Sequence, residues 1–176
     1  MKQELLKIMK ERRSVRSYKK DLMIPEDVLQ EILETATYAP TGGGRQSPVI
    51  IAVTDKTMRD HIAHLNAKIM GDENADPFYG APVILVVLAN KAVPTHVYDG
   101  SLVMGNLMNA AESLGVASIW IHRAKEEFES DFGKKILADL GIQGEYEGIG
   151  HCALGYAAEP AKEAAARKEN YVYYMR

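Results

Sequence analysis

Cysteine is nearly absent. Cys152 is the single one in 176 residues, so no disulfide can form within the chain. That usage fits a reducing compartment, and a cytoplasmic location is the expectation. Long apolar runs are missing too. The longest, Ala81–Ala89, falls far short of the roughly 20 residues a membrane helix needs. The opening residues, Met1-Lys-Gln-Glu-Leu-Leu6, lack the apolar run of a signal peptide. Net charge is small, −3 at pH 7, which argues against a nucleic-acid or membrane-surface partner. No Gly-x-Ser-x-Gly, Cys-x-x-Cys or His-Glu-x-x-His motif occurs, so hydrolytic, dithiol and zinc-protease chemistry have nothing to rest on. There is no internal repeat, and the only compositional cluster is Ala164–Ala166.

What is present suits one domain over residues 1–176, with 47% hydrophobic residues to build its core. Residues 2–12 alternate Leu5, Leu6, Ile8 and Met9 with charges, an amphipathic helix. Pro25 opens a second helix carrying Val28, Leu29, Ile32, Leu33 and Ala36 on one stripe. Further helices are expected over 55–70, with Asp55 as cap, over 99–114 and over 126–140. Strands are expected over 49–53, 82–89, 116–121 and 149–157, with a short terminal one over 171–174. The 99–114 helix carries Leu102, Val103, Met104, Leu107, Met108 and Leu114 on more than one face, which implies burial on several sides and a subunit interface. Interleaved helices and four or five strands read as an α+β or α/β sandwich.

Two stretches carry chemistry. Arg12, Arg13 and Arg16 fall within five residues around Ser14, with Lys19 and Lys20 just beyond. A local knot of guanidinium forks in a mildly acidic chain suits a small phosphorylated ligand, because each fork can donate two parallel hydrogen bonds. The loop Ala39-Pro-Thr-Gly-Gly-Gly-Arg-Gln-Ser-Pro48 sets three glycines between two prolines, a backbone that can approach a ligand closely. It is not a Walker loop, since no Gly-Lys-Ser/Thr follows. Nor is it a dinucleotide fingerprint, since it precedes a strand rather than following one. His61 and His64 stand three apart on a helix without partnering cysteines or carboxylates, so they read as a solvated face and no metal site is assigned. His151 and Cys152, as strand neighbours, point to opposite faces and do not pair; Cys152 reads as structural. Trp120 reads as core.

Taken in order, these landmarks resemble the flavin-dependent nitroreductase family. Arg12-Arg-Ser-Val-Arg16 resembles its N-terminal Arg-x-Ser-x-Arg/Lys signature. Ala39-Pro-Thr-Gly-Gly-Gly-Arg-Gln46 is similar to its Ala-Pro-Ser-x-x-Asn-x-Gln loop. The stretch 99–120 resembles its interface helix, Leu-Gly turn and strand, and Gly150-His-Cys-Ala-Leu-Gly-Tyr156 with Arg167-Lys168 resembles its closing strand and basic tail. The resemblance implies an α+β fold, with a central mixed sheet flanked by helices in an intertwined homodimer holding one FMN per subunit. It implies ping-pong transfer from NADH or NADPH through FMN to a small-molecule acceptor such as a nitroaromatic or quinone. Arg12, Arg13, Ser14 and Arg16 would hold the phosphate, ribityl chain and ring edge. Pro40, Thr41, Gly42 and the Gly44 position, from the partner subunit, would border the ring, and Gln46 would bond the ribityl chain or a polar edge. The backbone at Ile121, His122 and Arg123 would face the reactive nitrogen, and Arg167 with Lys168 would return to the phosphate. No residue is then needed as a nucleophile, because the cofactor carries the redox step; His122 is the best candidate for a side chain reaching the substrate, with a backbone role as the alternative.

Three departures stand against the family pattern. Gly44 replaces a frequent Asn, Ser47 a common proline, and His122-Arg123 the Glu-Gly of larger relatives. They keep two alternatives open: a flavin-binding protein without turnover, and another flavin reaction on the same fold, such as dehalogenation or flavin breakdown. Dehalogenation calls for a lid, and residues 71–80 are short and plain for one.

Overall fold

The protein, a computed structural model describing residues 2–176, is built on one four-stranded sheet. Met1, counted in the expected domain, lies outside the described residues. The first half runs α1 (Lys2–Glu11), α2 (Glu26–Thr37), β1 (Pro48–Val53), α3 (Lys56–Met70) and β2 (Val83–Asn90). The second half runs α4 (His96–Ser113), β3 (Ala117–Ile121), α5 (Ala124–Glu129), α6 (Asp131–Asp139) and β4 (Tyr146–Gly155).

The Val-Ile-Leu-Val-Val-Leu run of β2 has no polar face, so the strand must be covered on both sides. Its even positions, Ile84, Val86 and Leu88, join Ile119, Ile121 and Ala153 beneath Ile62 of α3, Phe128 of α5 and Leu137 of α6. Its odd positions, Val83, Leu85 and Val87, join Cys152 and Leu154 beneath Leu29 and Ile32 of α2 and Val103, Met104 and Leu107 of α4. The result is three layers, helix–sheet–helix. Cys152 is fully enclosed there, in keeping with a structural reading, and burial pushes its thiol up to about 12.

The strand order is β1-β2-β4-β3, with every neighbouring pair antiparallel. The mixed character expected of the sheet is confined to one isolated parallel bridge, Ser14 to Ser118. Four element expectations need correction, the first being that the strand expected over 149–157 runs Tyr146–Gly155. The helix expected over 99–114 starts three residues early, at His96. The expected helix over 126–140 is two helices, because Ser130 is extended (ψ 163°) and its side chain caps α6 by accepting from Gly133 N–H at 3.3 Å. Gly133 lies so close that a Cβ would meet the Glu127 carbonyl at 2.3 Å, which lets α6 fold back on α5. Finally, residues 171–174 form no strand. A strand needs an edge to satisfy its backbone, and the exposed arm after residue 158 meets none within its own chain.

Candidate cofactor site

The basic knot is held against the sheet edge. Val15 N–H donates to the Ser118 carbonyl at 3.1 Å and Ser14 bridges Ser118, so residues 12–16 lie beside the start of β3. Ser118 and Trp120 alternate along that strand and share a face, and the His122 ring, just past its end, lies near that of Trp120. From Ser118 to His122 this strip spans about 13 Å at the usual strand rise. At its far end Trp120, His122 and Arg123 line a cleft of about 590 Å³ with Val97 and Ser101 of α4. The Trp120 and His122 rings lie 5.9 Å apart.

The strip has an unusual polar accounting. Among the described residues, the buried side-chain polar atoms without a partner are Arg12 Nη1, Ser118 Oγ and Trp120 Nε1. Buried donors are almost always satisfied, and an orphan costs about 1–3 kcal/mol. Three orphans in one neighbourhood fit a ligand rich in acceptor oxygens. Arg13 is different: its fork donates to the Lys10 and Arg12 carbonyls, closing the end of α1. Arg16 is exposed, and its recorded hydrogen bond is a long one, 3.5 Å, to the Ser14 carbonyl.

The glycine loop is anchored elsewhere, at the start of α4. Asp99, buried there, accepts from Gly42 N–H at 2.9 Å, Ser47 Oγ at 2.7 Å and Thr95 Oγ1 at 3.1 Å. Gly42 approaches α4 so closely that a Cβ would meet Thr95 Oγ1 at 2.2 Å. Ser47, which stands in place of a proline, is thus a loop anchor. Gly44 sits at φ 67°, a left-handed conformation that glycine and asparagine both accept. The substitution preserves the backbone and omits a side chain. Gln46 is left-handed as well (φ 47°), its N–H held by Thr41 Oγ1 at 3.1 Å. Thr41 and Gln46 line a separate hollow of about 340 Å³ with Pro48 and Val103, and Pro40 is exposed.

Burial alone would raise the Asp99 carboxyl, but the hydrogen bonds from Ser47, Gly42 and Thr95, with His96 nearby, outweigh it and hold it below the usual carboxylate range. A depressed carboxylate stabilises the fold above its unfolded value of about 3.9, and that contribution disappears as pH falls through the lower folded value. The melting temperature of Asp99→Asn should therefore lie below wild type at pH 6, by about 1–2 kcal/mol of stability, and the gap should narrow toward pH 3. A constant gap would disconnect this carboxylate from the loop.

The two chain ends do meet. Residues 13–17 and 159–163 line one cavity of about 470 Å³, held by Ala158 N–H donating to the Ser17 carbonyl at 2.9 Å. Arg167 and Lys168 lie beyond it on the exposed arm. Arg167 donates to the nearby Ala165 carbonyl, and Lys168 lies over the Tyr171 ring, 5.3 Å from its centre. Neither reaches the knot within this chain. Sequence reading also passed over Asn66, Asp99, Ser118 and Glu127. Asn66 had a visible signal: it interrupts the apolar stripe of α3, where a polar residue demands a buried partner.

A family model described as the Nitroreductase family matches residues 9–156. The chain belongs to the nitroreductase family. The chain superposes on a crystal structure from Bacteroides fragilis, described as a nitroreductase with bound FMN, with a TM-score of 0.89 and 27% identity over 98% of this chain and 99% of that one. A curated protein of Methanothermobacter thermautotrophicus, provisionally named NADH dehydrogenase/NAD(P)H nitroreductase, is 28% identical over 128 residues, or 68% of this chain. The match spans 61% of that relative's length. The fold is also that of an iodotyrosine deiodinase crystallised with FMN and 3-iodo-L-tyrosine (TM-score 0.76, 22% identity, 98% and 99% covered).

Proposed function

We propose that this nitroreductase-family chain is an FMN-dependent oxidoreductase that takes electrons from NADH or NADPH and gives them to nitroaromatics, quinones or similar small acceptors. The observation that carries the reading is the set of orphaned polar groups, Arg12 Nη1 in the basic knot and Ser118 Oγ and Trp120 Nε1 on the strand it is bridged to. The length of the strip suits a phosphate at the arginine end and a planar ring at the His122 end. FMN, when bound, supplies the two-electron chemistry in ping-pong fashion. The chain supplies the holding groups. Arg12, Ser14 and Arg16 take the phosphate, ribityl chain and ring edge, and the 121–123 backbone faces the reactive edge of the ring. Arg13 acts through α1, which it caps. The partner subunit brings Pro40, Thr41, Gly42 and Gln46 to the ring, and its own arm brings Arg167 and Lys168 to the phosphate.

The homodimer this requires is supported by apolar surface that one chain leaves bare. Tyr98 and Leu102 of α4 are 72% and 48% exposed, and Leu5, Leu6 and Met9 of α1 and residues 171–175 of the arm are also uncovered. A lid-dependent dehalogenation is disfavoured by residues 71–80. Asp76 staples that segment, accepting from Phe78 N–H, Gly80 N–H and Arg59 Nη2.

The test is spectroscopic. Purified protein mixed with FMN should retain a yellow cofactor that each nucleotide is tried on for bleaching, followed by reoxidation with a nitroaromatic. Bleaching by at least one nucleotide and recovery on adding the acceptor are expected. A preparation that refuses FMN overturns the reading, and tight FMN that neither nucleotide bleaches leaves a flavin-binding protein without turnover.

A further inference from the structure

Behind the cleft, on the opposite face of the sheet, a buried polar chain ends on the backbone of residues 121–123. Glu127 of α5 is 2% exposed and His151 of β4 is fully buried. Glu127 Oε2 lies 2.7 Å from His151 Nε2, and its Oε1 accepts from Asn66 Nδ2 at 2.5 Å. The same Asn66 amide group donates to the His122 carbonyl at 3.1 Å, while Asn66 Oδ1 accepts from Arg123 Nε at 2.8 Å. His151 Nδ1 faces the Ile121 carbonyl at 3.4 Å. Three successive residues are thus each gripped by a buried side chain. Around the pair, the Phe78 ring meets His151 edge-on at 5.2 Å, and the Arg59 guanidinium lies over the Phe78 ring, 5.6 Å from its centre.

Apolar side chains of similar size would pack this space at lower cost than a buried carboxylate and imidazole. What they would lack is a grip on the turn. Arg123 needs one, because it holds φ 78°, a left-handed conformation that costs a non-glycine residue about 1–3 kcal/mol. Surrounding contacts must impose such a conformation, and Asn66 holds it from both sides, through the His122 carbonyl and the Arg123 side chain.

We infer that Asn66, Glu127 and His151 are positioning residues that fix the His122–Arg123 peptide at the height and tilt at which it meets the reactive edge of the flavin, and so tune flavin affinity and reduction potential. The inference rests on the flavin reading above. It assigns three buried side chains, none of which touches the cofactor, to control of the redox site.

Glu127→Gln and Asn66→Leu keep side-chain volume, and Asn66→Leu removes the grip on residues 122 and 123 without adding a charge, so together they separate positioning from packing. Each should bind FMN about tenfold more weakly, the size of one or two lost hydrogen bonds. Each should also shift the flavin's midpoint potential and alter its visible absorption envelope, with circular dichroism unchanged. Folded variants with wild-type potential and spectrum overturn the inference, even if they melt earlier. Should both fail to fold, Arg123→Met cuts the tether from the partly exposed side, and the same shift in potential is required of it. If the wild-type protein itself takes up no FMN, the flavin reading fails on its own. Amide exchange at residues 121–124 of the unloaded protein then still decides the mechanical claim: it should quicken in Glu127→Gln, and unchanged exchange removes it.

Discussion

The double variant Arg12→Ala, Arg16→Ala purifies colourless and fails to take up added FMN. A charge-assisted hydrogen bond to phosphate contributes about 1.5–3 kcal/mol, so losing both forks costs about 3–6 kcal/mol, or 10²- to 10⁴-fold in affinity. Arg12 matters more, because its buried Nη1 has no partner in the chain and would stay unsatisfied without a ligand. Arg13→Ala is the internal control. Its fork is spent on the Lys10 and Arg12 carbonyls, so this variant keeps its yellow colour and loses a little helix stability, about 0.3–1 kcal/mol. Stoichiometric flavin on the double variant would remove the assigned role of the knot.

Leu107→Asp abolishes accumulation of folded protein, whereas Leu102→Asp leaves a folded chain of altered association. The two positions lie on one helix and differ in what they face. Leu107 is fully buried between α2 and the sheet, as Val103 nearly is, so neither tests a subunit interface. An aspartate at 107 loses the transfer energy of the leucine and strands a carboxylate without a partner; a penalty above about 4 kcal/mol takes most of a typical domain's stability. Leu102 lies half bare on the other side. A charge there should leave circular dichroism intact and shift the elution volume toward the monomer. A soluble, cooperatively melting Leu107→Asp protein would refute the core placement, and an unchanged elution volume for Leu102→Asp would refute the interface.

For most elements, reading the chain from composition and pattern worked. The apolar run of β2, the stripe of α2 and the Asp55 cap of α3 all follow from local chemistry, and the structure has them. The knot and the glycine loop were also legible, because both are contiguous. Three things were not. The break at Ser130 depends on Gly133 nesting against Glu127, a contact between two helices. The surfaces of α4 could not be apportioned, because an apolar residue looks alike whether its own chain or another covers it. The Asn66–Glu127–His151 assembly joins residues 61 and 24 positions apart, and no spacing rule connects them. The terminal tyrosines read as a strand because of their composition, but a strand needs an edge that this chain does not present to them.

One consequence of the strand order concerns how the chain comes to be assembled. β4 is the last strand in sequence, yet it lies between β2 and β3. Until it is in place, the antiparallel pair of β1 and β2 carries a raw, greasy flank with nothing to pair against. A chain interrupted before residue 146 should therefore be sticky and short-lived, a substrate for chaperones and proteases rather than a smaller working version.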